Sequence, residues 1–240
     1  MTSLKNIGDN WATGSGIFET IRVQDGKVFA LHRHHCRAKE TAEKLGFNIP
    51  DEQFVSDESY QVIQSEDLSL ARMRWHFDKN GEFSISYTRY EDPKLPARLM
   101  IFDERLPEYE VKNKEFPYRN LELLEIAKKF GFDDGVIVRK DGQVAETSMA
   151  SLLLNIDGDW ITPPLSSGIL NGVVRALVLE AGLATVRKVL ESDLPKVRSG
   201  LLLSSLRNAQ NIGEISGQNL DINSEKCAEI HKLMNQFKGR

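Results

Sequence analysis

Apolar and polar residues alternate through Ser15–Val23 and again through Lys27–Leu31, on either side of Gln24-Asp25-Gly26. A period of two broken by a turn tripeptide predicts a β-hairpin at the start of the fold. His32–Leu45 follows as a predicted helix that Gly46 is placed to end, since glycine closes a helix in the left-handed conformation at little steric cost. Asp51–Ser65 is polar and predicts a second, shorter helix with its loop. Ala71–Phe77 and Glu82–Tyr87 read as strands around Asp78-Lys79-Asn80-Gly81, and Ala97–Phe102 as another. The first half is therefore expected to be an α+β unit built on an antiparallel sheet.

Asp103–Asn113 is charged, carries one proline and has little apolar periodicity, which suits an interdomain connector. The expected division is an N-terminal α+β domain over 1–105, a linker over 106–113 and a C-terminal α/β domain over 114–240. Pro117–Phe130 has an apolar face of Leu121, Leu124, Ile126 and Ala127, predicting a helix that Gly131 ends. Gly135–Arg139 and Gln143–Ala145 flank Asp141-Gly142, and Leu152–Ile156 and Trp160–Thr162 flank Asp157-Gly158. Asp-Gly between apolar strands predicts hairpins closed by type I′ turns, which need positive φ at both central residues. A Gly-Ile-Leu-Asn-Gly segment at 168–172 then opens a helix from near Val173 to about Ala181. Its first N–H groups and positive dipole end form a natural cradle for a phosphate. Ala184–Leu190 is expected as a strand, Asp193-Leu194-Pro195 as a short helical turn and Gly200–Ser205 as a strand. Ser224–Phe237 reads as a closing amphipathic helix with Ser224 as its N-cap.

At 240 residues the chain can bury a sizeable core, and 28% charged with 40% hydrophobic residues is ordinary for a globular protein. Its 31 basic and 35 acidic side chains give a net charge of −4, so neither a nucleic-acid nor an anionic-membrane partner is expected. Met1–Ala12 lacks the apolar core of a secretory signal, and no apolar run approaches a membrane-spanning length, so a cytoplasmic protein is expected. Cys36 and Cys227 belong to no Cys-x-x-Cys pair and are expected as free thiols. His32, His34 and His35 cluster, but no carboxylate or cysteine is spaced to complete a metal shell, so no metal site is expected.

Single residues decide little. Glu146 stands at a strand end, where most glutamates are solvated; Arg37 lies on a helix, where most arginines face water; Gly168 and Gly172 suit ordinary loops. Their order carries more. Val144-Ala145-Glu146, Ser151-Leu152-Leu153-Leu154, Thr162-Pro163-Pro164-Leu165 and Gly168-Ile169-Leu170-Asn171-Gly172-Val173-Val174-Arg175 together resemble the signature of the class IV aminotransferases. Gly16-Ile17-Phe18-Glu19-Thr20 and the Leu31-x-x-His34-x-x-Arg37 spacing resemble the opening of the same family.

The resemblance implies a two-domain fold type IV architecture like that of D-amino-acid aminotransferase, with pyridoxal 5'-phosphate as cofactor. It implies a homodimer acting on a small-molecule amino substrate, with most of the cofactor site in the C-terminal domain. By the same resemblance Glu146 pairs with the pyridine nitrogen, and Arg37, the backbone of Val173 and Val174, and Ser205 hold the phosphate. Ser205 is matched through Ser204-Ser205-Leu206-Arg207-Asn208, which resembles the Asn-Ser-Leu-Arg-Gly segment of lyase-like members. Val174 stands where relatives often carry threonine, and Ser151 where asparagine is common.

The Schiff-base lysine of the family normally precedes the helix after the connector, in Lys-x-x-Asn-Arg or Lys-x-x-x-Asn-Tyr. Here the region reads Lys112-Asn113-Lys114-Glu115-Phe116-Pro117-Tyr118-Arg119-Asn120. Counting back without gaps from Gly131-Phe132-Asp133-Asp134 gives Lys112 or Asn113, whereas matching Tyr118-Arg119 to the Asn-Tyr or Asn-Arg pair gives Lys114. Lys114 is the choice, with Lys112 the alternative. The Phe18-Glu19-Thr20 opening and the Ser-Leu-Arg segment look most like aminodeoxychorismate lyase, which forms 4-aminobenzoate and pyruvate. A class IV aminotransferase acting on branched-chain or D-amino acids is the alternative, and a non-catalytic relative lacking the lysine a further one.

Overall fold

The structure, a computed structural model, describes residues 16–102 and 115–239. These divide into two compact units, one of residues 16–92 with 236–239, the other of residues 93–102 with 115–235.

The smaller unit opens on the expected hairpin of β1 (Gly16–Gln24) and β2 (Lys27–Val28). Asp25 and Gly26 both take positive φ, 54° and 68°, as a tight hairpin turn requires. Helices α1 (Leu31–Lys44) and α2 (Glu52–Ser65) follow, and then strands β3 (Leu70–Asp78) and β4 (Phe83–Arg89). The sheet runs β2-β1-β3-β4, antiparallel throughout. Asp51 caps α2 by accepting from the Phe54 N–H at 2.8 Å. Both helices have 14 residues, so α2 is not the shorter one that its polar sequence suggested. Ile17, Ile21, Val23, Met73, Trp75 and Phe77 alternate inward from β1 and β3 onto Val55 and Val62 of α2. Trp75 donates from its ring nitrogen to Ser59 Oγ at 2.9 Å, so the largest core side chain leaves no buried donor unpaired. The last residues close on the hairpin: Ala30 N–H donates to the Phe237 carbonyl and Gly239 N–H to that of Val28, both at 2.8 Å.

The larger unit contains β5 (Ala97–Phe102), α3 (Glu115–Lys129), β6 (Asp134–Val138), β7 (Val144–Thr147), β8 (Ser151–Ile156) and β9 (Asp159–Thr162). It continues with α4 (Val173–Glu180), β10 (Thr185–Val186), β11 (Val197–Ser204), β12 (Asn208–Ile215), β13 (Gln218–Asn219) and α5 (Ser224–Met234). Its sheet runs β10-β9-β8-β11-β12-β5-β6-β7, with β13 on β12. β5 lies parallel to both β6 and β12, and the central strands are antiparallel. Leu152, Leu153 and Leu154 of β8 and Leu201, Leu202 and Leu203 of β11 are all buried, as continuous apolar runs must be when both faces of a sheet are covered. Each such side chain contributes about 1.5–3 kcal/mol.

Several local expectations change. At Asp157-Gly158 both residues have positive φ, 57° and 95°, as a type I′ turn demands. At Asp141-Gly142 only Gly142 does, at 78°, and its N–H donates to the Arg139 carbonyl at 2.9 Å. That loop is longer, and one left-handed glycine suffices for it. Only Thr185–Val186 of the expected strand 184–190 is regular. Arg187 N–H still reaches the Thr162 carbonyl beyond β9, but Val189 accepts from Val144 N–H at 2.9 Å, at the start of β7. The segment thus bridges the two ends of the curled sheet and cannot follow either for long. Helix α5 is capped by Asn223, whose side chain accepts from Lys226 N–H at 2.8 Å, rather than by Ser224, and it ends at Met234. β12 escapes prediction because Asn-Ala-Gln-Asn-Ile-Gly-Glu-Ile has weak β preference, and its neighbours β11 and β5 supply the pairing.

Gly135 is a site of close approach. A Cβ there would stand 2.0 Å from Cε2 of the buried Phe102 ring. Gly135→Ala is expected to cost about 1–3 kcal/mol through overpacking, read as a lower urea midpoint with an unchanged m-value.

Candidate active site

Glu146 lies one residue from the end of β7 and is only 6% exposed, so it is not the solvated strand-end carboxylate that base rates favour. The Leu170 N–H donates to both of its oxygens, each at 3.3 Å. Arg175, on the first turn of α4, is 3% exposed. Its Nε donates to Thr162 Oγ1 at 3.0 Å and its Nη2 to the Pro163 carbonyl at 2.7 Å, both neutral acceptors. Burial pulls the Arg175 guanidinium below its ordinary pKa, and the charge of Glu146 pushes it back. A guanidinium stays charged in any protein, so Glu146 sits in the field of a fixed cation.

Between β9 and α4 the chain turns tightly at Leu165–Ser167 and reverses at Gly168, φ 75°. Gly172 has ordinary φ, −66°, and serves instead by its size: a Cβ there would stand 3.0 Å from Ser151 Oγ. The first intrahelical bond of α4 is Ala176 N–H to the Gly172 carbonyl at 2.9 Å. The N–H groups of Val173, Val174 and Arg175 therefore have no carbonyl within the helix. Among the described residues no side chain caps this helix, and its first turn holds no acid. Such a donor set suits a phosphate, and it fits pyridoxal phosphate together with the buried Glu146 carboxylate, which the Leu170 N–H just before the helix contacts. Helix α4 packs beside β11. Ser205 is the residue directly after that strand, in a turn where Arg207 N–H donates to Ser204 Oγ at 3.2 Å.

Lys114 and its alternative Lys112 lie outside the described residues. Arg37 stands on α1 of the smaller unit. It meets Glu19, which faces inward from β1, through Nε to Oε1 at 2.9 Å and Nη2 to Oε2 at 2.5 Å. His34, fully buried, places Nδ1 2.7 Å from Glu19 Oε2. Of the clustered histidines, His34 and His35 are buried, His35 contacting the Pro50 carbonyl at 2.9 Å, and His32 is exposed. No metal-holding cluster occurs among the described residues. The two cysteines are free thiols, and no described helix is long and apolar enough to cross a membrane.

Burial pushes the Glu19 carboxyl up, but Arg37 and His34 beside it more than cancel this and leave it far below the ordinary carboxylate range. A depressed carboxylate contributes stability that is complete above its unfolded pKa of about 4.3 and is lost as pH falls through the folded value. Glu19→Gln is expected to cost about 2 kcal/mol at pH 7, since Arg37 keeps some solvent contact. In urea titrations the gap from wild type should narrow steadily below about pH 4.3.

The sequence reading missed Leu170 N–H, Arg175 as a neighbour of Glu146, and the buried Asp134. A signal for Asp134 did exist, since an acid opening a strand that is otherwise buried throughout needs several donors.

The chain belongs to the amino-transferase class IV family, whose model matches residues 16–215. It is an enzyme of that family. A candidate aminodeoxychorismate lyase of Schizosaccharomyces pombe is 28% identical over 176 residues, covering 70% of this chain and 74% of that protein. A candidate branched-chain-amino-acid aminotransferase of Methanocaldococcus jannaschii is 24% identical over 251 residues, covering 94% and 86%. Among solved structures, a candidate 4-amino-4-deoxychorismate lyase of Legionella pneumophila superposes with a TM-score of 0.85 at 21% identity, covering 93% of this chain and 91% of that one. A hypothetical aminotransferase of Mycobacterium tuberculosis in its PLP-bound form gives 0.79 at 19% identity, covering 98% and 93%. These structural likenesses show the fold, the α/β fold type IV architecture that the sequence motifs implied.

Proposed function

We propose that the chain is a pyridoxal-phosphate-dependent 4-amino-4-deoxychorismate lyase that releases pyruvate and forms 4-aminobenzoate. The observation that supports it best is the buried Glu146, gripped by the Leu170 N–H beside a helix start with free donors. The lyase assignment leans on the S. pombe relative and on the Ser204-Ser205-Leu206-Arg207 segment.

When bound, pyridoxal phosphate supplies an electron sink for the bonds at the substrate Cα. Glu146, with the buried Arg175 nearby, would hold a proton on the ring nitrogen. The N–H groups of Val173 and Val174 and the Ser205 hydroxyl would hold the phosphate, and the family resemblance gives the Arg37 guanidinium the same role. Lys114 would be the amine that attaches the cofactor and moves the proton at Cα, a role that requires a partly desolvated and hence neutral amine. A cytoplasmic homodimer belongs to this reading, and light scattering on purified protein tests the dimer.

The aminotransferase reading is favoured by the M. jannaschii relative, which covers more of the chain. The same residues would then serve, with Lys114 moving a proton in an amino-group exchange instead of supporting pyruvate release. Protein loaded with pyridoxal phosphate should form 4-aminobenzoate from aminodeoxychorismate and leave branched-chain and D-amino acids unchanged in the presence of 2-oxoglutarate. Amino-group exchange without aminobenzoate would move the assignment to the second reading.

A further inference from the structure

The strand that carries Glu146 is irregular. Val138 pairs with Val144 and Val136 with Thr147, so three steps along β7 run beside two along β6. The extra residue falls in the span that holds Ala145 and Glu146. Such a bulge bends a strand and re-aims the side chains within it. Because side chains alternate along a strand, a slip by one residue would carry Glu146 to the opposite face. The ladder therefore has to be fixed on the far side of the bulge.

Asp134, the first residue of β6, is fully buried. Its Oδ1 accepts from its neighbour Gly135 N–H at 2.8 Å, from Ser148 N–H at 3.0 Å and from the Ser148 hydroxyl. Its Oδ2 accepts from Thr147 Oγ1 at 2.9 Å. Thr147 and Ser148 are the two residues directly after Glu146. Ser148 is also held from its other side, where the Asn120 side chain on α3 donates to its carbonyl. Thr147 Oγ1 in turn accepts from Ala150 N–H at 3.0 Å. Every donor on Asp134 is neutral, and hydrogen bonds to a buried carboxylate are among the stronger ones and the costlier to lose.

We infer that Asp134 is a positioning residue for Glu146: by clamping Thr147 and Ser148 it pins the bulged strand so that the Glu146 carboxylate faces Leu170, and through that fixes the protonation of the cofactor ring. The second half of this statement rests on the functional reading above. The first half does not.

The test uses Asp134→Ala and Thr147→Val, with Thr147→Ser as the variant that restores the hydroxyl. In cofactor-free protein, amide exchange at Leu170 reports whether Glu146 still accepts its N–H. It should quicken about tenfold or more in Asp134→Ala and Thr147→Val, stay near wild type in Thr147→Ser, and leave β8 and β11 amides unchanged. Leu170 exchanging at the wild-type rate in folded Asp134→Ala, or in Thr147→Val should Asp134→Ala not fold, overturns the proposal. In protein loaded with ring-¹⁵N pyridoxal phosphate, the nitrogen signal should move from the protonated toward the neutral position in the same two variants. With it kcat should fall about 10–100-fold, as for other groups that orient a ligand. An unmoved ¹⁵N signal with faster Leu170 exchange would overturn the link to the ring while leaving the clamp. Wild-type protein that takes up no pyridoxal phosphate sinks the functional reading, and Leu170 exchange still decides the clamp.

Discussion

Glu146→Gln is expected to lower kcat by about 10²–10³-fold while the protein still takes up pyridoxal phosphate, because the substitution removes a charge and almost no volume. Gln keeps an oxygen for the Leu170 N–H, so the loop before α4 has no reason to move. What changes is the field at the ring. Arg175 is buried among the neutral acceptors Thr162 Oγ1 and the Pro163 carbonyl, and Glu146 is the anion whose charge opposes the effect of that burial. In the proposed site an amide beside an uncompensated guanidinium would not retain a proton on the pyridine nitrogen, and the ring would lose much of its electron-withdrawing power. Steady-state kinetics should place the loss in kcat, with KM changed less, since the interaction matters most where charge develops. Unchanged kcat in a variant with normal cofactor content would remove Glu146 from the chemistry.

Much of this is legible in the amino-acid sequence. The hairpin at Gln24-Asp25-Gly26, both helices of the smaller unit and the two hairpins leading to α4 follow from periodicity and turn residues, because each is specified by neighbours a few positions apart. The break-up of the expected strand 184–190 after Val186, and β12 itself, were not readable, since both are decided by partners distant in sequence: β7 and β9 for the first, β5 and β11 for the second. The site divides in the same way. Glu146 and the α4 start announce themselves by motif order. The burial of Glu19 against His34 and Arg37 and the donors that converge on Asp134 depend on which face of a strand each residue takes. In β7 that face is set by a bulge that no local pattern signals.

Lys114 carries the largest single effect expected of any substitution: Lys114→Ala should abolish turnover, by about 10³-fold or more, since in the proposed function one amine would both attach the cofactor and move the Cα proton. Lys112→Ala should change kcat by less than about threefold, since the proposed function gives Lys112 no part in the chemistry. The two lysines are separated by one residue and cannot be assigned from spacing alone, so the comparison needs a readout tied to the bond itself. Borohydride reduction of the loaded protein, followed by peptide mass mapping, should place the pyridoxyl group on Lys114 in wild type and in Lys112→Ala, and nowhere in Lys114→Ala. A primary amine such as methylamine should restore part of the lost turnover to Lys114→Ala, with a pH profile that follows the added amine's own pKa, because a free amine can take over proton transfer but not attachment. A label on Lys112 would exchange the two roles. No labelled lysine in either position would leave Glu146 and the α4 donors with a ligand to hold and no group to act on its substrate, and the lyase reading would fall with it.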